Sequence, residues 1–250
     1  MRRYRTLLAV SVGGFVAVAF GETQHGLLER HDVSIERGTV AQTPHAAVRA
    51  ADVVTQLGSW WALVMVTAVA AVYLLRHGRR ADALLLLVAL GLVSLATDGL
   101  KLAFGRPRPS PGSLAPLHHT LSFPSGHTSG ATTMFVLVAL LVANRYRRAV
   151  VGSALVLAGV VGATRVVVQA HWPTDVLAGY CLGVAVLSAI MLVRDRFSVG
   201  RRTAVLGWPE GNDDPRQRGG QERDCPGRSF PEHRPHDLLP VNDLAEPRRR

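Results

Sequence analysis

The chain has little of what staples or ligates. Its 250 residues hold two cysteines, Cys181 inside an apolar run and Cys225 in a polar stretch, with no CxxC and no framework spacing. That pattern excludes a disulfide scaffold and a cysteine-based zinc site, and no cofactor is implied. No internal repeat is present. Lysine is almost missing: Lys101 stands alone against 27 arginines, so arginine carries the formal charge of +10. Apolar residues, in contrast, make up 48% of the chain, and mean hydropathy is +0.19. A hydrophobic chain with basic links points to a membrane protein and away from nucleic acid.

Six apolar runs follow one another, roughly Thr6–Phe20, Gly58–Leu75, Ala81–Leu100, Thr128–Ala143, Ala149–Val168 and Val176–Val193. Most approach the ~20 residues of a spanning helix, so an all-α bundle of six transmembrane helices is expected over residues 1–200. The first run follows Arg2, Arg3 and Arg5 and ends near Ala17-Val18-Ala19, a small-residue pattern of the kind cleaved in signal peptides. We read it as a retained first helix. Residues 201–250 contain seven of the fourteen prolines and few large apolar groups. Such a segment buries too little to offset its ordering entropy and is expected to be a disordered tail.

Arginine clusters set the orientation. Arg2, Arg3 and Arg5, then Arg76, Arg79 and Arg80, then Arg145, Arg147 and Arg148, then Arg194, Arg196, Arg201 and Arg202 occupy alternate links. The positive-inside rule places all four clusters, and both termini, in the cytoplasm. Residues 21–57 mix signs, with Glu22, Glu29, Asp32 and Glu36 against Arg30, Arg37 and Arg49, and fit the outer side. Trp60 and Trp61 would anchor that interface, and Ala46–Leu57 suits either a surface amphipathic helix or a plain loop.

Three polar stretches interrupt the apolar body: Lys101 to Pro109, Pro124 to His127 and Arg165 to Asp175. At about 1.5 Å per residue, Arg80 to Lys101 rises about 31 Å, His127 to Arg145 about 27 Å and Arg148 to Arg165 about 26 Å. Each is close to the hydrocarbon thickness, so the three stretches meet at one face, the outer one. Ionisable groups at such positions are costly and mark function.

Their chemistry suits a phosphate. Lys101, Arg108 and Arg165 supply a point charge and two guanidinium forks. Ser125 is a candidate N-cap, and the backbone N–H groups of Ser125, Gly126 and His127, with Gly126 allowing close approach, would face an anion. Asp175 could hold one ring nitrogen of His171 across Pro173 and leave the other free as nucleophile or base. Each residue alone has a plainer reading, such as snorkelling or capping; their convergence favours a site. Asp98, three residues before Lys101, is expected to pair with it, and Arg106 either assists binding or faces water. His118 and His119 read as a solvated loop pair.

Lys-x6-Arg-Pro, Pro-Ser-Gly-His and Arg-x5-His-x3-Asp, in this order, resemble the three-part signature of the type 2 phosphatidic acid phosphatase superfamily, the lipid phosphate phosphatases related to vanadium haloperoxidases. The resemblance spans about Ala51–Val193. It implies a metal-independent hydrolysis of a lipid phosphate in two steps. His171 would attack phosphorus to form a phosphohistidine, Asp175 would orient it, and His127 would protonate the leaving alkoxide. Lys101, Arg108, Ser125, Gly126 and Arg165 would hold the phosphoryl oxygens. The third motif commonly begins Ser-Arg, whereas here it reads Thr164-Arg165.

The implied substrate is a lipid phosphate at the membrane: phosphatidic acid, phosphatidylglycerol phosphate or a polyprenyl diphosphate. Two other classes compete, a transporter and a non-catalytic lipid-phosphate binder. A transporter would place charges at the midplane of broken helices, and a binder has no need of two histidines and an aspartate. No sequence feature specifies an oligomeric state.

Overall fold

The computed structural model describes residues 1–23, 27–109, 121–143 and 145–205. Among them the chain forms eight α-helices: α1 (Arg2–Thr23), α2 (Leu27–Gln42), α3 (His45–Thr55), α4 (Trp60–Arg76), α5 (Arg80–Phe104), α6 (Gly126–Val142), α7 (Arg147–Val167) and α8 (Pro173–Val205). No strand is present among the described residues; Pro107 and Leu121 form one isolated antiparallel bridge. Three of the six apolar runs lie wholly in one helix; the second begins at Gly58, two residues before α4, and the fourth and fifth end one residue past α6 and α7. Helix α8 continues to Val205, past the boundary expected at residue 200. The rest of the expected tail, with Cys225, and the His118-His119 pair lie outside the described residues.

Helix α6 is the centre of the bundle and packs on α4, α5, α7 and α8. Most of its length is buried, including Thr128, Ser129, Gly130, Ala131, Thr132, Thr133 and Met134. Small residues permit this, because membrane helices gain contact mainly by letting their backbones approach. The partner stripe on α8 is Gly179 and Gly183. A Cβ at Gly183 would lie 2.7 Å from Thr132 Cβ and 2.8 Å from the Ser129 carbonyl oxygen.

Large apolar side chains on α4 and α5, such as Met65, Val69, Leu84, Leu87 and Leu95, are exposed. In a membrane these faces meet lipid. Among the described residues, four helices are long and apolar enough to cross, α1, α5, α7 and the first 24 residues of α8, or five if α3 and α4, bent by 45°, are one span. Helix α6 is apolar but only 17 residues long. It starts inside the protein, where Ser125 and Thr128 are fully buried.

One end of the bundle is tied by arginine. Arg79 Nη1 donates to the Leu141 carbonyl oxygen at 2.6 Å, satisfying a carbonyl at the C-terminus of α6. Arg79 and Arg194 both pair with Asp82, each with a contact of 2.7 Å. The chain reverses at α4–α5 and α6–α7 on this side. All three polar stretches consequently lie at the opposite end, as helix rise predicts.

Candidate active site

Four helix ends meet there. Helix α5 stops at Gly105, whose φ of 63° is left-handed and whose N–H donates to the Lys101 carbonyl oxygen at 2.9 Å. The chain then turns back, placing Arg106 and Arg108 beside the last turn of α5. At the end of α7, Gln169 takes a φ of 55°. The Arg165 carbonyl oxygen accepts from the N–H groups of both Ala170 and His171, at 3.0 and 3.2 Å. This turn sets His171 two residues ahead of Pro173, the first residue of α8.

Lys101, Arg165, His171 and Asp175 are buried, and Arg108 and His127 are half-buried. His171 Nδ1 faces Asp175 Oδ2 at 3.4 Å, long for a hydrogen bond, and the nitrogen has no other partner. The other Asp175 contacts are short: Oδ2 accepts from the Trp172 N–H at 2.9 Å, and Oδ1 from Arg106 Nη1 at 2.6 Å. Three buried nitrogens of the expected site lack a hydrogen-bond partner: Arg108 Nε, Arg165 Nε and His171 Nδ1. Burying unpaired donors is costly, so a site built this way is prepared for an acceptor-rich ligand.

Burial drives the pKa of His171 down from 6.5 to about 4; Asp175 works against this, and Arg165 and Arg108 reinforce it. The imidazole is therefore neutral at pH 7 and keeps a lone pair. Burial also lowers the Arg108 guanidinium, with Asp175 opposing. Among the described residues no group of three or more His, Cys, Asp or Glu side chains is placed to hold a metal ion.

A cavity of about 480 Å³ opens on this cluster. Lys101, Arg108, His127 and His171 line one part, and Trp60, Trp61, Leu63 and Val93 line another. Asp98 lines it too, but forms no hydrogen bond or ion pair with Lys101, contrary to expectation. Below it, the Thr97 and Ser129 hydroxyls meet at 2.9 Å and tie α5 to α6.

Several details differ from the sequence reading. The N–H of Ser125 is not free for an anion, because it donates to the Asp175 carbonyl oxygen at 3.0 Å. Its side chain makes no cap hydrogen bond and instead accepts from Thr128 Oγ1 at 2.9 Å. Gly126 and His127 remain first-turn positions whose N–H groups have no acceptor within the helix. The Thr164 hydroxyl, standing where serine is common, donates to the Val161 carbonyl oxygen at 2.7 Å. Residues 45–55 are helical rather than a plain loop, and Thr55, 1% exposed, accepts from Arg165 Nη1 at 3.1 Å.

The largest departure is Arg106. It does not face water but is 8% exposed, and each of its nitrogens meets a carboxylate: Nε with Glu22 at 2.7 Å, Nη1 with Asp175 at 2.6 Å and Nη2 with Asp32 at 2.8 Å. These partners hold its guanidinium charged against the opposing pull of burial. Trp172 lies beneath it, 5.5 Å from guanidinium carbon to ring centroid. Glu22 and Asp32 were expected to be ordinary charges of an outer segment, and Trp172 carried no sequence signal beyond its place beside His171.

Residues 82–198 match the model of the PAP2 superfamily. The match begins later than the resemblance, which started near Ala51, and it includes all three polar stretches. A lipid A 1-phosphatase from Rhizobium johnstonii is 40% identical over 126 residues, 46% of this chain and 49% of the relative. Phosphatidylglycerophosphatase B from Bacillus subtilis is 35% identical over 111 residues, 41% of this chain and 53% of the relative. The chain thus spans about half the length of these curated relatives. A crystal structure of a transmembrane PAP2-type phosphatidylglycerolphosphate phosphatase from Bacillus subtilis superposes with a TM-score of 0.67 at 23% identity, covering 78% of this chain and 98% of that one. At that identity the likeness concerns the PAP2 fold.

Proposed function

We propose that this protein is an integral membrane phosphatase that hydrolyses a phosphate monoester or diphosphate of a lipid through a phosphohistidine intermediate. The observation that carries the proposal is one cavity lined by Lys101, Arg108, His127 and His171, with the buried Nε atoms of Arg108 and Arg165 left without a hydrogen-bond partner. The cavity's apolar wall suits the chain of an amphiphile. The names of the PAP2 relatives, lipid A 1-phosphatase and phosphatidylglycerophosphatase B, agree with a lipid phosphate.

In the first step the free ring nitrogen of neutral His171 attacks phosphorus, and the phosphorus–oxygen bond to the lipid breaks. His127, protonated once the phosphate dianion is bound beside it, gives the leaving alkoxide a proton. Lys101, Arg108, Arg165 and the N–H groups at the start of α6 stabilise the charge on the non-bridging oxygens, the main catalytic term in phosphoryl transfer. Asp175 balances the charge that develops on His171. In the second step water loses a proton to His127 and attacks phosphorus, the nitrogen–phosphorus bond breaks, and phosphate leaves. No step needs a metal.

The membrane arrangement belongs to the same proposal: six crossings over residues 1–200, a cytoplasmic tail, both termini inside and the site outside. A non-catalytic lipid-phosphate binder would explain the cations but not a neutral histidine beside an orienting carboxylate. The test is release of inorganic phosphate from vesicles containing phosphatidic acid, phosphatidylglycerol phosphate or a polyprenyl diphosphate, with chelator present. His171→Ala is expected to reduce kcat by at least about 10³-fold; full activity in that variant would overturn the mechanism.

A further inference from the structure

Resting on that reading, we propose that Arg106 is a positioning residue for the reaction: anchored by Asp32 and Glu22, it orients Asp175 and, through it, the His171 ring. Helices α1 and α2 thereby become part of the machinery that aligns the nucleophile.

The geometry is specific to a guanidinium. One planar group reaches Glu22 at the end of α1, Asp32 on α2 and Asp175 on α8, and its Nη1 also donates to Thr174 Oγ1 at 2.8 Å. Lysine has a single nitrogen and cannot span three carboxylates. Asp32 is 1% exposed and grips the first turn of α8 directly: its Oδ1 accepts from the Thr174 N–H at 3.1 Å, and its Oδ2 from the Thr174 hydroxyl. The same carboxylate thus fixes both Arg106 and the backbone next to Asp175.

Arg106 also divides the labour of the Asp175 oxygens. With Oδ1 held at 2.6 Å by Arg106, Oδ2 is left to the Trp172 N–H and to His171. A clamp needed only for folding would be an expensive choice, since apolar residues of similar volume stabilise a core as well as a buried ion cluster does. Three carboxylates on one cation also leave excess negative charge behind His171, where an imidazole gaining a phosphoryl group develops positive charge.

The charged groups bearing on His171 are Arg108 from the loop after α5, His127 from α6, Arg165 from α7 and Asp175 from α8, with Lys101 of α5 acting on His127 and Asp52 of α3 on Arg165. Arg106 compensates Asp175 within this set. Its loss makes Asp175 more strongly negative toward the ring and favours imidazolium.

The experiment measures kcat, KM and the pH profile of kcat/KM for wild type, Arg106→Gln, Arg106→Lys and Asp32→Asn, with thermal midpoints in the same detergent. Arg106→Gln is expected to lose about 10- to 100-fold in kcat with KM within about threefold, the acid limb moving to higher pH. Arg106→Lys keeps the charge but loses the fork, so kcat falls while the limb stays in place. Asp32→Asn is expected to lower kcat about tenfold without an upward shift of the limb.

Wild-type kcat and an unmoved limb in Arg106→Gln would overturn the inference, as would a raised KM at unchanged kcat, which would place Arg106 on the substrate. If Arg106→Gln does not fold, unchanged kcat in both other variants overturns it. A wild-type protein that releases no phosphate from any lipid overturns the phosphatase reading, and this one with it; an active wild type with insensitive variants overturns this one alone.

Discussion

His171 is useful as a nucleophile only while its ring is neutral, and its surroundings decide when that is so. Burial and the cations Arg165 and Arg108 hold its pKa at about 4 although Asp175 raises it. For a base, a depressed pKa keeps the active form present at neutral pH and loses it only as pH falls through that value. A plot of kcat/KM against pH is expected to be flat near neutrality and to fall on the acid side with an apparent pKa near 4. Asp175→Asn removes the group that raises the pKa, so the limb should move to lower pH while kcat drops by about 10⁴-fold. A limb at the ordinary histidine value would show that the ring is solvated. The motif residues were legible from sequence because each combines an expensive side chain with a place at a helix end. Arg106 was not: its partners Asp32 and Glu22 lie 74 and 84 residues away, and in one dimension an acidic residue in a mixed-charge segment looks solvated.

At the level of elements, the site depends on how closely α6 and α8 approach. Ser125, at the start of α6, donates to the Asp175 carbonyl on α8, so their separation sets the distance between the PSGH turn and the nucleophile's partner. A Cβ at Gly179 would sit 2.9 Å from both the Ser125 carbonyl oxygen and Thr128 Cβ. Gly179→Ala is expected to force the helices apart, cost about 1–3 kcal/mol and lower kcat. Gly152→Ala is the control, since nothing lies within 4 Å of a Cβ there, and its thermal midpoint should hold or rise. An undisturbed midpoint in Gly179→Ala would mean that the helices have slack. Apart from the end of α8, which runs on from Val193 to Val205, helix boundaries came within a few residues of the apolar runs, because a helix in lipid must hide its backbone groups wherever side chains are apolar. The inward turn of α3, which brings Thr55 to Arg165, was not predictable, since an amphipathic stretch of that length fits a surface equally well.

For the whole molecule, arginine clusters at one end and phosphate-seeking groups at the other define a polarity. The proposed orientation puts the clusters in the cytoplasm. In intact cells an impermeant thiol reagent is expected to label a cysteine placed at Pro109 but not one placed at Arg148, each in a background lacking Cys181 and Cys225. The reverse pattern would put the site inside. The sequence alone determined the membrane character, the helix order and the gathering of Lys101, Arg108, His127, Arg165, His171 and Asp175 at one end, because hydrophobicity and helix rise are local quantities that add along the chain. Tertiary structure alone decided that Arg106 is buried among Glu22, Asp32 and Asp175, that the Ser125 N–H is taken, and that α3 reaches the site. Those outcomes depend on distances between segments far apart in the chain, which local pattern does not encode.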